Sequence, residues 1–184
     1  MGEEKTQSQH KRQCSVCKCC GESTPEFMTL DHINNDGYLD ILLTGLKKLV
    51  KKTPQIKYIW YLHHNPELQE KVKKSIKDFE TIEITNPCSH YDFARQISLS
   101  NFIITDSGGI QEEASFLGKH CIVLRESTER THIPKEYITI LKDYSRLDEM
   151  YETIPREHLC PCNVYGYGNS SNQILDILSS NGNI

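Results

Sequence analysis

The chain has 184 residues, of which 37% are apolar and 25% are charged, and its formal net charge is -4. This length suits one well-filled core, and the slight acidic excess excludes the strongly basic balance of a nucleic-acid scaffold. The longest apolar runs are about six residues, whereas a membrane span needs roughly 20. No signal-peptide pattern follows the polar start. We therefore expect a cytoplasmic protein without membrane or nucleic-acid partners.

Residues 1–25 are polar, rich in cysteine and without periodicity, which predicts a tail, whereas residues 26–184 carry the pattern of one folded domain. In this domain, apolar strand-like runs alternate with segments whose apolar residues recur at helical spacing. The predicted strands are 26–30, 56–62, 81–85, 101–105, 120–124 and 137–141, and the predicted helices are 38–52, 66–78, 91–99, 110–117 and 171–179.

Strands that alternate with helices through short connections predict an α/β fold, here a single Rossmann-like domain with a parallel sheet and helices on both faces. In such sheets, ligands bind in the crevice beyond the carboxyl ends of the strands. The side chains and amides that follow each strand are therefore the first candidates for a functional site.

The segment IITDSGGIQEE, residues 103–113, joins an apolar strand to a helix. The amides of Ser107, Gly108 and Gly109 would be free at the helix N-terminus, and two glycines let an anion approach the backbone, so phosphate is the expected guest. Asp106 and Ser107 could instead be ordinary helix caps. We expect Glu112 and Glu113 in the first turn, from which Glu113 could reach the hydroxyls of a ribose.

Four segments together resemble one enzyme family. They are FMTLDHINND (27–36), YLHHNPELQEKV (61–72), TDSGGIQEEASFLGKHCIVLRESTER (105–130) and NVYGYGNSSNQILDIL (163–178). In this order they resemble the signatures of the non-hydrolysing UDP-N-acetylglucosamine 2-epimerases, and the likeness extends over roughly residues 26–184. The third segment is the most specific of the four.

The resemblance implies one half of a GT-B fold, namely the C-terminal domain that grips the UDP portion of UDP-GlcNAc or a related UDP-N-acetylhexosamine. The family is an isomerase class that interconverts UDP-GlcNAc and UDP-ManNAc for polysaccharide biosynthesis, without a cofactor. Its acids and bases near the sugar belong to the N-terminal half. We therefore expect no catalytic residue in this chain and no activity without a complementary half. The alternative is a non-catalytic UDP-sugar-binding module or pseudoenzyme.

The resemblance also assigns roles to individual residues. Ser107, Gly108 and Gly109 would receive the diphosphate, Glu113 the ribose hydroxyls, Phe93 the uracil ring and Arg130 a phosphate, and His63 matches a histidine of the family's NP-containing loop. Phe93 could instead be one apolar residue on the inner face of its helix, and His63 could be structural. Arg130, in the family's R-x-x-T-E-R loop, could pair with Glu129 rather than with phosphate.

The segment after the first strand departs from the family pattern. The family's His-Arg pair, which faces the phosphates, is replaced by Asp31 and His32. Asp31 would repel a diphosphate, and His32 would partly compensate if it were protonated. Alternatively, a shift of one residue would place His32 in the position of the family's histidine.

The predicted 171–179 helix carries an apolar stripe of Ile174, Leu175, Ile177 and Leu178. This stripe would dock a complementary N-terminal-half chain or a second copy of this chain, unless it packs on its own domain.

Cys14, Cys17 and Cys20 in the tail have the spacing of zinc ligands, which indicates a structural zinc site. Cys160 or Cys162 would be a fourth ligand only if the fold brings it near the tail. The alternative is a tail of reduced thiols. Paired cysteines followed by DHINNDG also resemble zinc-containing HNH nucleases. However, the next segment, 38–52, contains no His or Asn to complete such a site.

Overall fold

The structure is a computed structural model that describes residues 26–30, 37–62, 65–155 and 159–180. In the described residues, six parallel strands form one sheet in the order β3-β2-β1-β4-β5-β6. The strands are β1 Glu26–Leu30, β2 Tyr58–Leu62, β3 Ile82–Thr85, β4 Phe102–Thr105, β5 His120–Val123 and β6 Ile138–Ile140. The helices are α1 Tyr38–Lys52, α2 Pro66–Ile76, α3 His90–Leu99, α4 Gly108–Phe116, α5 Leu147–Thr153 and α6 Ser170–Ser180.

The local sequence explains where these helices form and end. In α1, the leucines at helical spacing are fully buried, as an amphipathic helix against a sheet requires; they are Leu39, Leu42, Leu46 and Leu49. The side chain of Asn65 accepts hydrogen bonds from the first two backbone amides of α2, since the first residue of this helix, Pro66, has no N–H. Gly118 ends α4 with a φ of 69°, which other residues rarely adopt.

The alternation of side chains along the strands divides the core between the two faces of the sheet. Phe102 and Ile104 pack on one face with α1, α2 and α5, whereas Ile103 packs on the other face with α3 and α4. Strands that are buried on both faces need apolar residues throughout, and this explains why the strands read as continuous apolar runs in the sequence. The predicted fold class, an α/β Rossmann-like domain with helices on both faces, is confirmed.

Two local predictions were wrong. The fourth helix begins at Gly108 rather than at residue 110, so Glu112 and Glu113 lie in its second turn and not in the first. The other concerns α5, a helix that the sequence pattern did not predict and that packs beside α1 after a short 3₁₀ helix, Tyr144–Arg146. The backbone carbonyl of Tyr144 lies so close to α1 that a Cβ at Gly45 would come within 2.0 Å of its oxygen.

The chain after α5 crosses the end of α4 before it forms α6. The amide of Cys162 donates to the Ser115 carbonyl oxygen at 2.9 Å, and the Tyr137 hydroxyl donates to the Cys160 carbonyl oxygen at 2.7 Å. In contrast, α6 buries none of its residues. Among the described residues, no helix combines the length and the apolar character that crossing a bilayer requires.

Candidate functional site

The candidate site lies where β4 ends and α4 begins, at the carboxyl edge of the sheet. The strand order reverses direction between β1 and β4, and this is the position where open α/β sheets form a ligand crevice. Thr105 and Asp106 are buried there. The Thr105 hydroxyl accepts a hydrogen bond from the Ser107 amide at 3.1 Å. The Ser107 side chain makes no hydrogen bond to the amides that begin α4. The Ser107 amide is therefore already engaged, and the amides of Gly108 and Gly109 are the ones that begin the helix.

The two glycines have different surroundings. A Cβ at Gly108 would lie 2.8 Å from Oε1 of Glu129 and 2.9 Å from Cζ of Arg130, so these side chains cover that residue. A Cβ at Gly109 would meet nothing within 4 Å. The predicted anion cradle is therefore covered at its first glycine and open at its second.

Four charged side chains form a network over Gly108, which we call the Arg–Glu cluster: Arg125, Arg130, Glu112 and Glu129. Glu129 accepts from Arg125 Nη1 through Oε2 and from Arg130 Nη1 through Oε1, both at 2.9 Å. Arg130 also contacts Glu112 through Nε. The intraloop pair that the sequence left open for Arg130 is thus formed. The pKa of Glu129 lies below its usual range because its own backbone amide, Arg125 and Arg130 favour the charged form.

Gln111, which sequence reasoning missed as a site residue, ties the loop of the Arg–Glu cluster to α4. The Gln111 side chain is completely buried. Its Nε2 donates a hydrogen bond to the Ser107 carbonyl oxygen at 3.2 Å, and its Oε1 accepts one from the Thr128 hydroxyl at 2.6 Å. The Thr128 oxygen in turn accepts the Arg130 amide at 3.1 Å. Helical spacing could have revealed this role, since Gln111 shares the inward face of α4 with Ala114 and Ser115.

Glu113 projects from α4 toward the start of α3. Its Oε1 lies 3.2 Å from Nε2 of His90, a second residue that the sequence analysis did not select. Its Oε2 is shielded from solvent and has no hydrogen-bond partner among the described residues. A carboxylate with one engaged oxygen and one without a partner is suited to accept hydrogen bonds from ligand hydroxyls.

Phe93 lies on α3 between the core and the edge of the candidate site. Its ring packs against Tyr61 in an edge-to-face arrangement, with 5.3 Å between the ring centroids, and joins the core that contains Ile97 and Ile103. The side chain is half-buried. Phe93 therefore contributes to the core, as the plainer interpretation of the sequence expected, and retains exposed surface.

Several predicted site residues lie outside the described part of the chain. These are Asp31, His32, His63, Cys14, Cys17 and Cys20. Within the described part, no group of three or more His, Cys, Asp or Glu side chains is placed to hold a metal ion. Cys160 is exposed and Cys162 is buried. The possible zinc site in the tail stays a prediction.

The described residues offer the chemistry of binding. Amides at a helix N-terminus and two guanidinium groups attract an anion, and a nearby carboxylate can orient hydroxyl groups. The sequence profile described as UDP-N-acetylglucosamine 2-epimerase matches residues 32–179, which is more than half of the chain.

The chain belongs to the UDP-N-acetylglucosamine 2-epimerase family. It is similar to the UDP-N-acetylglucosamine 2-epimerase of Campylobacter jejuni, with 34% identity over 155 residues that cover 78% of this chain and 39% of the relative. The enzyme of Neisseria meningitidis serogroup A is 31% identical over 160 residues, which cover 80% of this chain and 42% of the relative.

Solved structures support the same fold. The chain superposes on S. aureus MnaA in its co-structure with UDP with a TM-score of 0.78 at 24% identity, covering 88% of this chain and 46% of the other. For the UDP-GlcNAc 2-epimerase from N. meningitidis bound to UDP-GlcNAc, the TM-score is 0.71 at 25% identity, covering 85% of this chain and 45% of the other. This epimerase-family chain thus spans less than half the length of these relatives, as one half of a GT-B fold would. The comparisons do not favour the nuclease or the binding-module alternative.

Proposed function

We propose that this chain is the UDP-binding part of a UDP-N-acetylglucosamine 2-epimerase. The observation that carries the proposal is the set of groups that α4 brings together: an exposed Gly109 in its first turn, the Arg–Glu cluster beside Gly108, and the carboxylate of Glu113 one turn later. A nucleoside diphosphate presents groups that match these, because its phosphates are anionic and its ribose carries two neighbouring hydroxyls.

In this proposal, the diphosphate approaches α4 at Gly109 and is stabilised by the helix dipole together with Arg125 and Arg130. Glu113 accepts hydrogen bonds from the ribose, and the exposed part of Phe93 lies against the uracil ring. The interactions with the departing UDP stabilise negative charge on the leaving group. They do not move a proton at the sugar, since that step needs an acid and a base near the carbon that is inverted.

The proposal is tested by mixing the chain with UDP-GlcNAc and separately titrating it with UDP in a calorimeter. We expect saturable UDP binding without formation of UDP-ManNAc or release of UDP from the sugar nucleotide. Adding the remaining part of a full-length relative as a separate chain would then provide the acids and bases, and turnover should appear. Turnover by the chain alone would contradict this division of roles.

We further propose that α6 provides the contact with that second part, or with another copy of the chain. Its side chains Ile174, Leu175 and Ile177 are 56%, 54% and 60% exposed, and Leu178 is 38% exposed. That none of the residues of α6 is buried supports this proposal over packing on its own domain, the other option that the sequence left open. A contiguous apolar stripe on a helix without buried residues is typical of a surface that another chain covers.

A further inference from the structure

The Arg–Glu cluster places a carboxylate beside Gly108, next to Gly109, where the proposed function brings a diphosphate. Oε1 of Glu129 lies 2.8 Å from the position that a Cβ of Gly108 would take, so the acid occupies the space beside the first glycine of the cradle. Because the helix N-terminus favours negative charge there, a side-chain carboxylate satisfies the same preference as a ligand phosphate would.

Both oxygens of Glu129 are engaged by guanidinium groups. Arg125 Nη1 binds Oε2 and Arg130 Nη1 binds Oε1, each at 2.9 Å. These arginines are the cations that a diphosphate at Gly109 would need. With Glu112 bound to the same Arg130, the cluster has no net formal charge, so an incoming anion gains less electrostatic attraction from the arginines while both carboxylates remain paired with them.

A diphosphate can replace the Glu129 carboxylate at the two arginines if only the Glu129 side chain moves, without a change in the backbone of the loop. The Glu129 side chain is 52% exposed, so it can rotate into water and be solvated there. The backbone around it is fixed, since Thr128 bonds to the buried Gln111 and to the Arg130 amide. Gly109 is exposed, and a Cβ at this residue would meet no atom within 4 Å, which leaves room for a ligand beside it.

We propose that Glu129 is an affinity- and specificity-determining residue that acts as an internal competitor for the ligand diphosphate. It holds Arg125 and Arg130 beside Gly108 until a diphosphate displaces it. This inference rests on the proposed function, namely UDP binding at the N-terminus of α4. A consequence is selectivity, because a ligand with two phosphates replaces both guanidinium contacts of Glu129, whereas a ligand with one phosphate replaces fewer of them.

The test is a calorimetric titration of the full chain with UDP, UMP and uridine, using the wild type, Glu129→Gln and Glu126→Gln. Glutamine keeps the size of the side chain and removes its charge. We expect Glu129→Gln to bind UDP about three- to tenfold more tightly, as the loss of exposed ion pairs predicts, and to bind uridine as the wild type does. Glu126 is exposed in the same loop and pairs with Lys142 at 3.7 Å, so its variant should leave all three affinities unchanged.

Each other outcome is decisive. If Glu129→Gln binds UDP as tightly as the wild type does, Glu129 does not compete with the ligand, and the inference is wrong while the proposed function stands. If the variant binds UDP more weakly, Glu129 positions Arg130 for the ligand, which overturns the inference in the same way. If Glu126→Gln tightens UDP binding to the same extent, the effect is the general charge of the loop, which also overturns the inference. If neither the wild type nor Glu129→Gln shows saturable UDP binding, the proposed function fails, and the inference fails with it.

Discussion

The Thr128 hydroxyl donates a 2.6 Å hydrogen bond to Oε1 of Gln111, a side chain with no exposed surface. One buried amide thereby connects the loop that carries Arg130 to the helix that carries Gly108. The position of the guanidinium beside the helix N-terminus depends on this connection between two residues that are 17 positions apart in the chain.

Replacing Thr128 with Val keeps the shape of the side chain and removes the hydroxyl. Since Oε1 of Gln111 would then be buried without a partner, we expect the free energy of unfolding to fall by about 1–3 kcal/mol. We also expect weaker UDP binding, because Arg130 would lose its support. Urea unfolding and calorimetry measure the two effects. Ser127→Ala, at the exposed preceding position, should stay within about 0.5 kcal/mol of the wild type. A Thr128→Val protein as stable as the wild type would contradict the assigned role.

Glu113 should recognise the ribose and not the phosphates. We expect the wild type to bind UDP about 12- to 150-fold more tightly than 2′-deoxy-UDP, since one hydrogen bond to a charged group contributes about 1.5–3 kcal/mol. Glu113→Gln should weaken UDP binding and largely abolish this preference. Calorimetric titration of both proteins with both ligands completes the cycle. An undiminished preference in Glu113→Gln would show that another group contacts the ribose.

The exposed stripe of α6 should contribute to association and little to folding. Because none of its residues is buried, we expect Ile174→Glu with Ile177→Glu to change the free energy of unfolding by less than about 0.5 kcal/mol. The same double variant should lose binding to the remaining part of a full-length relative, or self-association, in sedimentation velocity experiments. Asp176→Asn, on the same helix, is the matched control and should associate as the wild type does. A double variant that unfolds in milder urea would show that the helix packs on its own domain.

His120 should make the stability of the domain depend on pH. The side chain is buried, Nδ1 donates to the Glu136 carbonyl oxygen at 2.8 Å, and Nε2 lies 2.9 Å from the Thr139 hydroxyl. Burial lowers the pKa of His120 below its ordinary value of 6.5, so the unfolded chain binds this proton more readily than the folded one. The stability from this site is therefore complete above about pH 6.5 and is lost as the pH falls through the lower pKa of the folded state.

The measurement for His120 is urea unfolding of the wild type and His120→Gln at a series of pH values. Glutamine can donate to the same carbonyl and accept from the same hydroxyl, but it does not titrate. The free energy of unfolding of the wild type should decline more steeply than that of the variant between pH 7 and pH 5. Between pH 7.5 and pH 8.5, the two proteins should show the same dependence. Parallel curves over the whole range would contradict the prediction.

Much of the fold could be predicted because local patterns and global packing agree. The leucines of α1 recur at helical spacing, and Asn65 with Pro66 marks a helix start, so both helices were predicted with little error. The start of α4 was predicted two residues late because glycine has low helix propensity. The structure begins the helix at Gly108, whose lack of a Cβ allows Glu129 and Arg130 to lie against it. The short α5 was missed because it consists of only seven residues.

The pairings within the candidate site were less accessible from the sequence than the elements that carry them. His90 and Glu113 are 23 positions apart and meet only because α3 and α4 lie on the same face of the sheet. Likewise, Arg130 meets Glu112 because the loop after β5 folds back over the start of α4. Residue types and spacing predicted which amides and which carboxylate could bind a ligand, but the contacts around these groups depend on tertiary structure.

The central claim is that uridine diphosphate binds at the N-terminus of α4. The most direct test is to follow the amide resonances of the ¹⁵N-labelled chain by nuclear magnetic resonance during a titration with UDP. The claim predicts that the resonances of Gly108 and Gly109 shift most, together with that of Glu113, and saturate at a common UDP concentration. Saturable shifts elsewhere in the chain, with these glycine resonances unmoved, would contradict it.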